Sequence, residues 1–243
     1  MQFKYSLIIP CFNEEGNIKY LFSNLLKLRI YKSLEIIIVD NGSSDLTLKT
    51  LNFYKKKNKC LKIKIIKIKK NKGFGFGVFQ GLKKSRGKYL CYTHADREAK
   101  IIELKKAFQI INNNSNLNFL IKGRRINRIK NHWTLIDQIF SKSCDFVLSL
   151  MLFCHLEDVH AQPNAFPRSL LKKIRYCPND FLIDAYFLYV AKKMKYKIVR
   201  FNVNFNKKSR KYGQGSSDNI FKKFKGSFEH IVGAIKILFK SNF

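Results

Sequence analysis

Apolar and polar residues in the first 100 positions follow a pattern of short strands, each followed by a helix. Apolar runs predict buried strands at 6–9, which Pro10 is expected to end, and at 35–39. Apolar residues alternate with lysine at 61–68, which predicts a strand nearer the edge of the sheet. A fourth strand is predicted at 89–93. Together these strand–helix units predict a doubly wound, mostly parallel α/β sheet flanked by helices.

The second half of the chain is less regular. Its pattern predicts, in order, a helix at 101–111, a polar loop at 112–116, a strand at 119–122, helices at 133–153 and 181–193, and a strand at 197–205. From residue 219 onward, apolar residues recur at helical spacing among lysines, which predicts a basic amphipathic helix. This helix could lie on an anionic bilayer or dock its apolar face on the domain. We therefore expect a globular domain at 1–217 and a helix at 218–243.

The net charge of +32 on 243 residues is the most unusual feature of the composition. It favours a polyanionic partner, either nucleic acid or an anionic membrane surface, unless it reflects a lysine-rich coding bias. The sequence carries no helix-turn-helix, zinc-finger or RNP-type pattern, so specific nucleic-acid binding is not expected. A hydrophobic fraction of 46% is typical of a globular protein and excludes a disordered one.

Cysteine usage and apolar run lengths predict the compartment. The six cysteines form no C-x-x-C pair, which fits a reducing environment. No signal peptide is evident at the N-terminus, and the longest apolar run, 146–154, is far shorter than the roughly 20 residues of a membrane-spanning helix. We therefore expect a cytoplasmic protein, peripheral at the inner face of the cell membrane.

Two common nucleotide-binding motifs are excluded by spacing. The glycines at 75, 77 and 81 miss the G-x-G-x-x-G pattern by one position and belong to the third strand–helix unit instead of the first. No G-x-x-x-x-G-K-[ST] motif is present, so the chain is not a P-loop protein. A phosphate cradle around 73–77 stays open, because glycines let backbone amides approach an anion.

His94 and Asp96 directly follow the fourth predicted strand. Ligands of open α/β sheets bind at the carboxyl ends of the strands. An imidazole nitrogen and a carboxylate oxygen can share a divalent cation, although a polar turn after a buried strand is the simpler reading of this pair alone.

Eight motifs in order resemble the family 2 glycosyltransferases, which have the GT-A fold. They begin with Ser6-Leu-Ile-Ile-Pro-Cys-Phe-Asn-Glu-Glu15, Ile37-Ile-Val-Asp-Asn-Gly-Ser-Ser-Asp45, Asn71-Lys-Gly-Phe-Gly75 and Gly87-Lys-Tyr-Leu-Cys-Tyr-Thr-His-Ala-Asp96. They continue through Lys122-Gly-Arg-Arg125, Asp158 with Gln162-Pro-Asn-Ala-Phe166, Asn179-Asp-Phe-Leu-Ile-Asp184 and Arg210-Lys-Tyr-Gly-Gln-Gly-Ser-Ser217. The chain is most similar to the branch that holds the polyprenyl-phosphate mannose and glucose synthases and their lipopolysaccharide-locus relatives.

The resemblance implies a nucleotide-diphosphate-sugar donor and a divalent cation, Mn²⁺ or Mg²⁺. It places the donor near Pro10, Phe12, Asn13, Glu14, Asp40, Gly73, Ala95, Arg124 and Arg210. The family's metal motif is D-x-D, whereas this chain has His94-Ala-Asp96, so Asp96 is the expected ligand and His94 either coordinates or only contacts a phosphate. An imidazole shifts the preference towards softer ions such as manganese.

The resemblance also implies an inverting transfer, with Asp158 and Asp184 as candidate catalytic residues. The expected acceptor is polyprenyl phosphate or a lipid-linked or lipopolysaccharide glycan. A hydroxyl acceptor would need a general base, whereas a phosphate oxygen is already an anion and would not. Two alternatives remain open: a catalytically degenerate relative, suggested by His94, and a basic nucleic-acid-binding protein, suggested by charge alone.

Overall fold

The computed structural model describes residues 3–114, 118–209 and 220–240. Its sheet consists of β1 (Tyr5–Cys11), β2 (Leu34–Asn41), β3 (Lys62–Ile68), β4 (Tyr89–Tyr92), β5 (Phe119–Ile126), β6 (Asn164–Pro167) and β7 (Lys197–Asn204). Its α-helices are α1 (Glu15–Lys27), α2 (Thr47–Lys57), α3 (Phe74–Lys84), α4 (Leu104–Asn113), α5 (Leu135–Met151), α6 (Arg168–Leu171), α7 (Ile183–Lys193) and α8 (Ile220–Lys240).

The strands lie in the order β3-β2-β1-β4-β6-β5-β7. All neighbouring strands are parallel except β6, which runs antiparallel to both β4 and β5. Because β4 and β5 are both antiparallel to β6, they run parallel to each other. The carboxyl ends of β5 and β7 therefore lie on the same edge of the sheet as those of β1 to β4. The predicted doubly wound, mostly parallel sheet is confirmed, and β3 lies at its edge as expected.

The sheet is covered by an apolar layer on each face, because strand side chains alternate between the two faces. On β1, Leu7 and Ile9 pack into the layer formed with α1, α2 and α4. Ile8 packs into the opposite layer, formed with α3, α5, α7 and α8. Burial on both faces explains the continuous apolar runs of the central strands.

Several predicted boundaries shift in the structure. Pro10 does not end β1, which continues to Cys11. The helix predicted at 133–153 is α5, and it begins one residue after Thr134, whose hydroxyl accepts a hydrogen bond from the backbone N–H of Asp137 in a capping box. The predicted loop at 112–116 is wrong at its start, since α4 continues to Asn113.

The C-terminal helix packs on the domain. Ala234 and Ile237 of α8 are fully buried in the same apolar layer as α5 and α7. A Cβ at Gly233 would contact the side chain of Leu182, so a glycine lets the helix approach closely. Ile235 and Phe239 remain 43% and 78% exposed on the other side. None of the helices described here is long and apolar enough to cross a membrane.

Candidate functional site

A cleft of about 250 Å³ opens at the carboxyl ends of β1, β2 and β4. It is lined by seven of the residues predicted to bind donor or metal, namely Pro10, Phe12, Glu14, Gly73, His94, Ala95 and Asp96. The central strands end side by side, so residues that are far apart in sequence meet here. The structure thus brings together most of the donor site implied by the family resemblance.

The loop that follows β1 is tied to the loop that follows β2. The backbone N–H of Asn13 donates to Ser43 Oγ at 3.1 Å, and Asn13 Oδ1 accepts from the backbone N–H of Ser44 at 2.9 Å. Asp40, which is 1% exposed, accepts from the backbone N–H of Ser43 at 3.2 Å. Asn13 therefore ties the two loops together, and Asp40 fixes the turn after β2, while neither residue lines the cleft itself.

His94 lies in an aromatic stack. Its ring lies 4.4 Å from the ring of Phe74 at an interplanar angle of 21°, and Phe74 stacks on Phe181 at 5.1 Å and 16°. All three side chains line the cleft. The stack restricts the orientation of the imidazole beside Asp96.

Asp96 is 4% exposed at the cleft, and its Oδ1 accepts a hydrogen bond from the backbone N–H of Glu98 at 3.1 Å. The next residue, Arg97, donates to the backbone carbonyl of Gly16 at 2.9 Å. These contacts fix the turn after β4. Asp96 and His94 both line the cleft, and a carboxylate oxygen with an imidazole nitrogen is a donor set that suits Mn²⁺. Their sharing of a cation stays a prediction.

The glycines at the start of α3 are explained by close backbone packing. A Cβ at Gly73 would lie closer than 3.0 Å to the backbone oxygen of Asn179, and one at Gly75 equally close to that of Pro178. The backbone N–H of Phe76 donates to the Asn179 oxygen at 3.0 Å. Because these glycines have no side chain, the backbone of residues 178–180 can approach α3 closely, and Phe181 then reaches the cleft. These contacts account for the glycines without a phosphate cradle.

Asp158 lies outside the cleft in a buried ion cluster. Its carboxylate accepts from the backbone N–H of Arg125 at 2.6 Å and pairs with the guanidinium groups of Arg125 and Arg128. Burial alone would raise the pKa of Asp158, but the charge and hydrogen bonds of Arg125, with help from Arg128, hold that pKa below its usual value. The contacts indicate a structural role, and the catalytic role of Asp158 stays a prediction.

Asp184 is the centre of a second buried network. It accepts from Tyr92 Oη at 2.7 Å, from Gln162 Nε2 at 3.0 Å and from Asn164 Nδ2 at 3.1 Å. Burial would raise the pKa of Asp184, but the charge of Lys122, the His160 imidazole and the Tyr92 hydroxyl hold that pKa below its usual value. Asp184 does not line the cleft, so its catalytic role also stays a prediction.

Lys122 supplies the positive charge of this network. It is fully buried, and its Nζ donates to the backbone oxygen of Ala161 at 2.8 Å and to Asn164 Oδ1 at 2.7 Å. Burial lowers the pKa of Lys122 to about 8, although the Asp184 charge opposes this change. A lysine held this deeply needs such partners.

Arg124 and Arg210 were both predicted to contact the donor phosphates, and Arg124 does not line the cleft. Arg124 Nη2 lies 3.2 Å from Glu157 Oε1 in a pair whose side chains are each 50% exposed, away from the cleft lining. Arg210 lies outside the described residues. Their contact with the donor stays a prediction.

Sequence reasoning missed several residues that shape the cleft. Asn41 and Asn71 line it, and Asn41 Nδ2 donates to Asn71 Oδ1 at 3.1 Å and to the backbone oxygen of Gly73 at 2.8 Å. Phe181 also lines the cleft. All three stand inside motifs that carried the family resemblance, so the signal was present but was not assigned to these positions.

A family model identifies the class of protein. Residues 6–175, more than half of the chain, match the model of glycosyl transferase family 2, and the chain belongs to that family. A dolichyl-phosphate beta-glucosyltransferase of Dictyostelium discoideum is 36% identical over 98 residues, covering 37% of this chain and 30% of the relative. A dolichol-phosphate mannosyltransferase of Pyrococcus furiosus is 27% identical over 147 residues, covering 59% of this chain and 40% of the relative. The chain therefore spans less than half the length of these curated relatives.

Solved structures confirm the GT-A fold. A mannosyltransferase of Pyrobaculum calidifontis, solved with GDP-Man and Mn²⁺, superimposes with a TM-score of 0.68 at 16% identity, covering 97% of this chain and 65% of that one. Glucosyl-3-phosphoglycerate synthase of Mycobacterium tuberculosis, solved with Mn²⁺, UDP and glucosyl-3-phosphoglycerate, gives 0.67 at 13% identity, covering 96% and 78%. At this level of identity the likeness concerns the fold alone.

Proposed function

We propose that this protein is an inverting glycosyltransferase that moves a sugar from a nucleotide-diphosphate sugar to polyprenyl phosphate. The observation that carries the proposal is the position of His94 and Asp96 in the same cleft as the loops after β1 and β3. The names of the dolichyl-phosphate relatives support the acceptor class.

The cleft residues have distinct parts in this proposal. Phe12 and Pro10 offer an apolar wall to the base, and Glu14 offers a carboxylate to base or sugar donors. Asp96 and His94 would hold Mn²⁺ or Mg²⁺, which neutralises charge on the departing diphosphate when bound. Arg124 and Arg210 are kept as proposed phosphate contacts.

The two candidate aspartates bear on the choice of acceptor. Asp158 and Asp184 are each held by several hydrogen-bond donors and do not line the cleft. A hydroxyl acceptor requires a general base within hydrogen-bond reach, whereas a phosphate oxygen does not. This arrangement favours a lipid phosphate over a lipopolysaccharide or other glycan hydroxyl.

Exposed apolar side chains on α5 favour binding of the protein to a membrane surface. Ile139, Phe146 and Leu150 lie on one face of α5 and are 62%, 69% and 66% exposed, and Phe153 just beyond the helix is 82% exposed. The chain also carries a net charge of +32. Apolar side chains on a strongly cationic protein favour adsorption to an anionic bilayer.

Turnover tests the proposal directly. The chain is incubated with UDP- and GDP-sugars, Mn²⁺ and polyprenyl phosphate, and the lipid product is detected by mass spectrometry. We expect product with one base class and a loss of at least about 100-fold in Asp96→Asn. Glu103→Gln, an acid-to-amide change in the segment after β4, serves as the matched control. Absence of turnover with every donor would favour the degenerate relative.

Membrane binding is tested by flotation with vesicles of phosphatidylcholine, with and without phosphatidylglycerol. We expect binding only to the anionic vesicles, and weaker binding of Phe146→Glu/Leu150→Glu. Phe53→Glu is the matched control, since Phe53 is 59% exposed on α2. Equal binding of all variants would contradict the proposal that the exposed apolar face of α5 binds the membrane. Binding of random duplex DNA that is unaffected by Asp96→Asn would instead support the nucleic-acid alternative.

A further inference from the structure

A cluster of metal-ligating side chains lies outside the donor cleft, between α5, α8 and the segment before β6. It consists of Cys144 on α5, His160 in the segment before β6, and His230 on α8. One ligand atom from each residue lies within 4.8 Å of the other two. Cys144 Sγ is 3.9 Å from His160 Nε2, and the two imidazole rings are 5.1 Å apart.

These separations are close to those of a tetrahedral zinc site. With Zn–S near 2.3 Å and Zn–N near 2.0–2.1 Å, ligand atoms around one ion lie about 3.5 Å apart. The sulfur–nitrogen distance of 3.9 Å needs only small side-chain adjustments to reach this value. One thiolate and two imidazoles form a ligand set that suits Zn²⁺ and disfavours Mg²⁺.

The orientation of His160 strengthens the assignment. Its Nδ1 lies 3.6 Å from Asp184 Oδ2, while its Nε2 faces Cys144. A ligating histidine commonly directs its second ring nitrogen at a carboxylate, which fixes the tautomer and makes the ring a better ligand. Asp184 is itself held by the Tyr92, Gln162 and Asn164 side chains, so the imidazole meets a rigid partner.

We propose that Cys144, His160 and His230 bind one Zn²⁺ ion that fastens α8 to the catalytic domain. The three ligands come from α5, the segment before β6 and α8, and Ala234 and Ile237 are the fully buried residues in the described part of α8. The ion is distinct from the cation expected at Asp96, which lies in the donor cleft.

Zinc analysis of the Asp96→Asn protein tests the site while removing the carboxylate proposed to bind the cation of the donor cleft. After dialysis against buffered Zn²⁺ and removal of excess metal, we expect one zinc per chain by elemental analysis. Binding of Co²⁺ in place of zinc should give a thiolate-to-cobalt charge-transfer band. Zinc at about 100 times its Kd should raise Tm by roughly 5–10 °C.

Matched variants locate the bound ion. His230→Gln and Cys144→Ser should each weaken zinc binding at least about 100-fold, and Cys144→Ser should abolish the charge-transfer band. The controls Cys154→Ser and His155→Gln change the same residue types nearby and should leave both readouts unchanged. His230 lies near the surface on α8, so its replacement leaves the buried Asp184 network intact. Absence of zinc from the folded protein, or zinc retained in His230→Gln and Cys144→Ser, would overturn the proposal.

Discussion

The most informative substitution is Asp158→Asn, because it separates a structural carboxylate from a catalytic one. Asp158 is 3% exposed and pairs with Arg125 and Arg128, whose side chains are 6% and 17% exposed. Removing one partner of a buried ion pair leaves the other charge uncompensated and typically costs about 3–5 kcal/mol. An asparagine keeps one acceptor oxygen, so we expect a loss of about 3 kcal/mol in the free energy of unfolding. For a chain of this length that corresponds to a fall of roughly 6–12 °C in Tm.

The adjacent residue provides the control. Glu157 pairs with Arg124 at 3.2 Å, but both side chains are 50% exposed. Exposed pairs contribute about 0.2–1 kcal/mol, so Glu157→Gln should lower Tm by no more than about 4 °C. Both variants replace an acid by its amide beside an arginine, and burial is the main difference between them.

Scanning calorimetry and turnover below the lower Tm are measured on the same samples. We expect Asp158→Asn to lose stability and to keep turnover within about 10-fold, since a general base contributes about 10²–10⁴-fold. An Asp158→Asn protein with unchanged Tm and turnover reduced by more than about 100-fold would refute the structural role and restore Asp158 as the base.

Three further predictions concern the surroundings of the cleft. Gly73→Ala should lower donor affinity at least about 10-fold by titration calorimetry, because a Cβ at φ 98° would displace Asn179; unchanged affinity would contradict this. Lys122→Met should lower the unfolding free energy by about 3 kcal/mol in urea, because Asp184 loses its buried countercharge; a neutral result would show that the network needs no charge. Thr134→Ala should cost about 1 kcal/mol by removing the hydroxyl cap, and an unchanged urea midpoint would argue against the cap.

The central strands in the first half of the chain were predictable from the sequence because the sheet is buried on both of its faces there. Strands β1, β2 and β4 are buried at every position, so their composition alone identified them. Boundaries depended on tertiary contacts that no local pattern shows. The side chain of Asn13, for example, accepts a hydrogen bond from the backbone N–H of Ser44 in the neighbouring loop.

The candidate site was predictable where strand ends define it and not where separate segments meet. His94 and Asp96 follow a strand directly, so their position was evident. The stacking of Phe181 on Phe74 depends on a backbone approach between α3 and the segment 178–180, which sequence spacing does not show. The same holds for Lys122, because its full burial beside Asp184 depends on contacts between segments that are separate in sequence.

We expect the cleft at Asp96 to bind a nucleotide-sugar together with a divalent cation. The direct test is titration calorimetry of UDP-, GDP-, dTDP- and CMP-sugars, each with and without Mn²⁺, against wild type and Asp96→Asn. We expect sugars of one base class to bind, to bind more tightly with Mn²⁺, and to lose this dependence on Mn²⁺ in Asp96→Asn. Binding that is equally strong without metal and in Asp96→Asn would contradict this expectation.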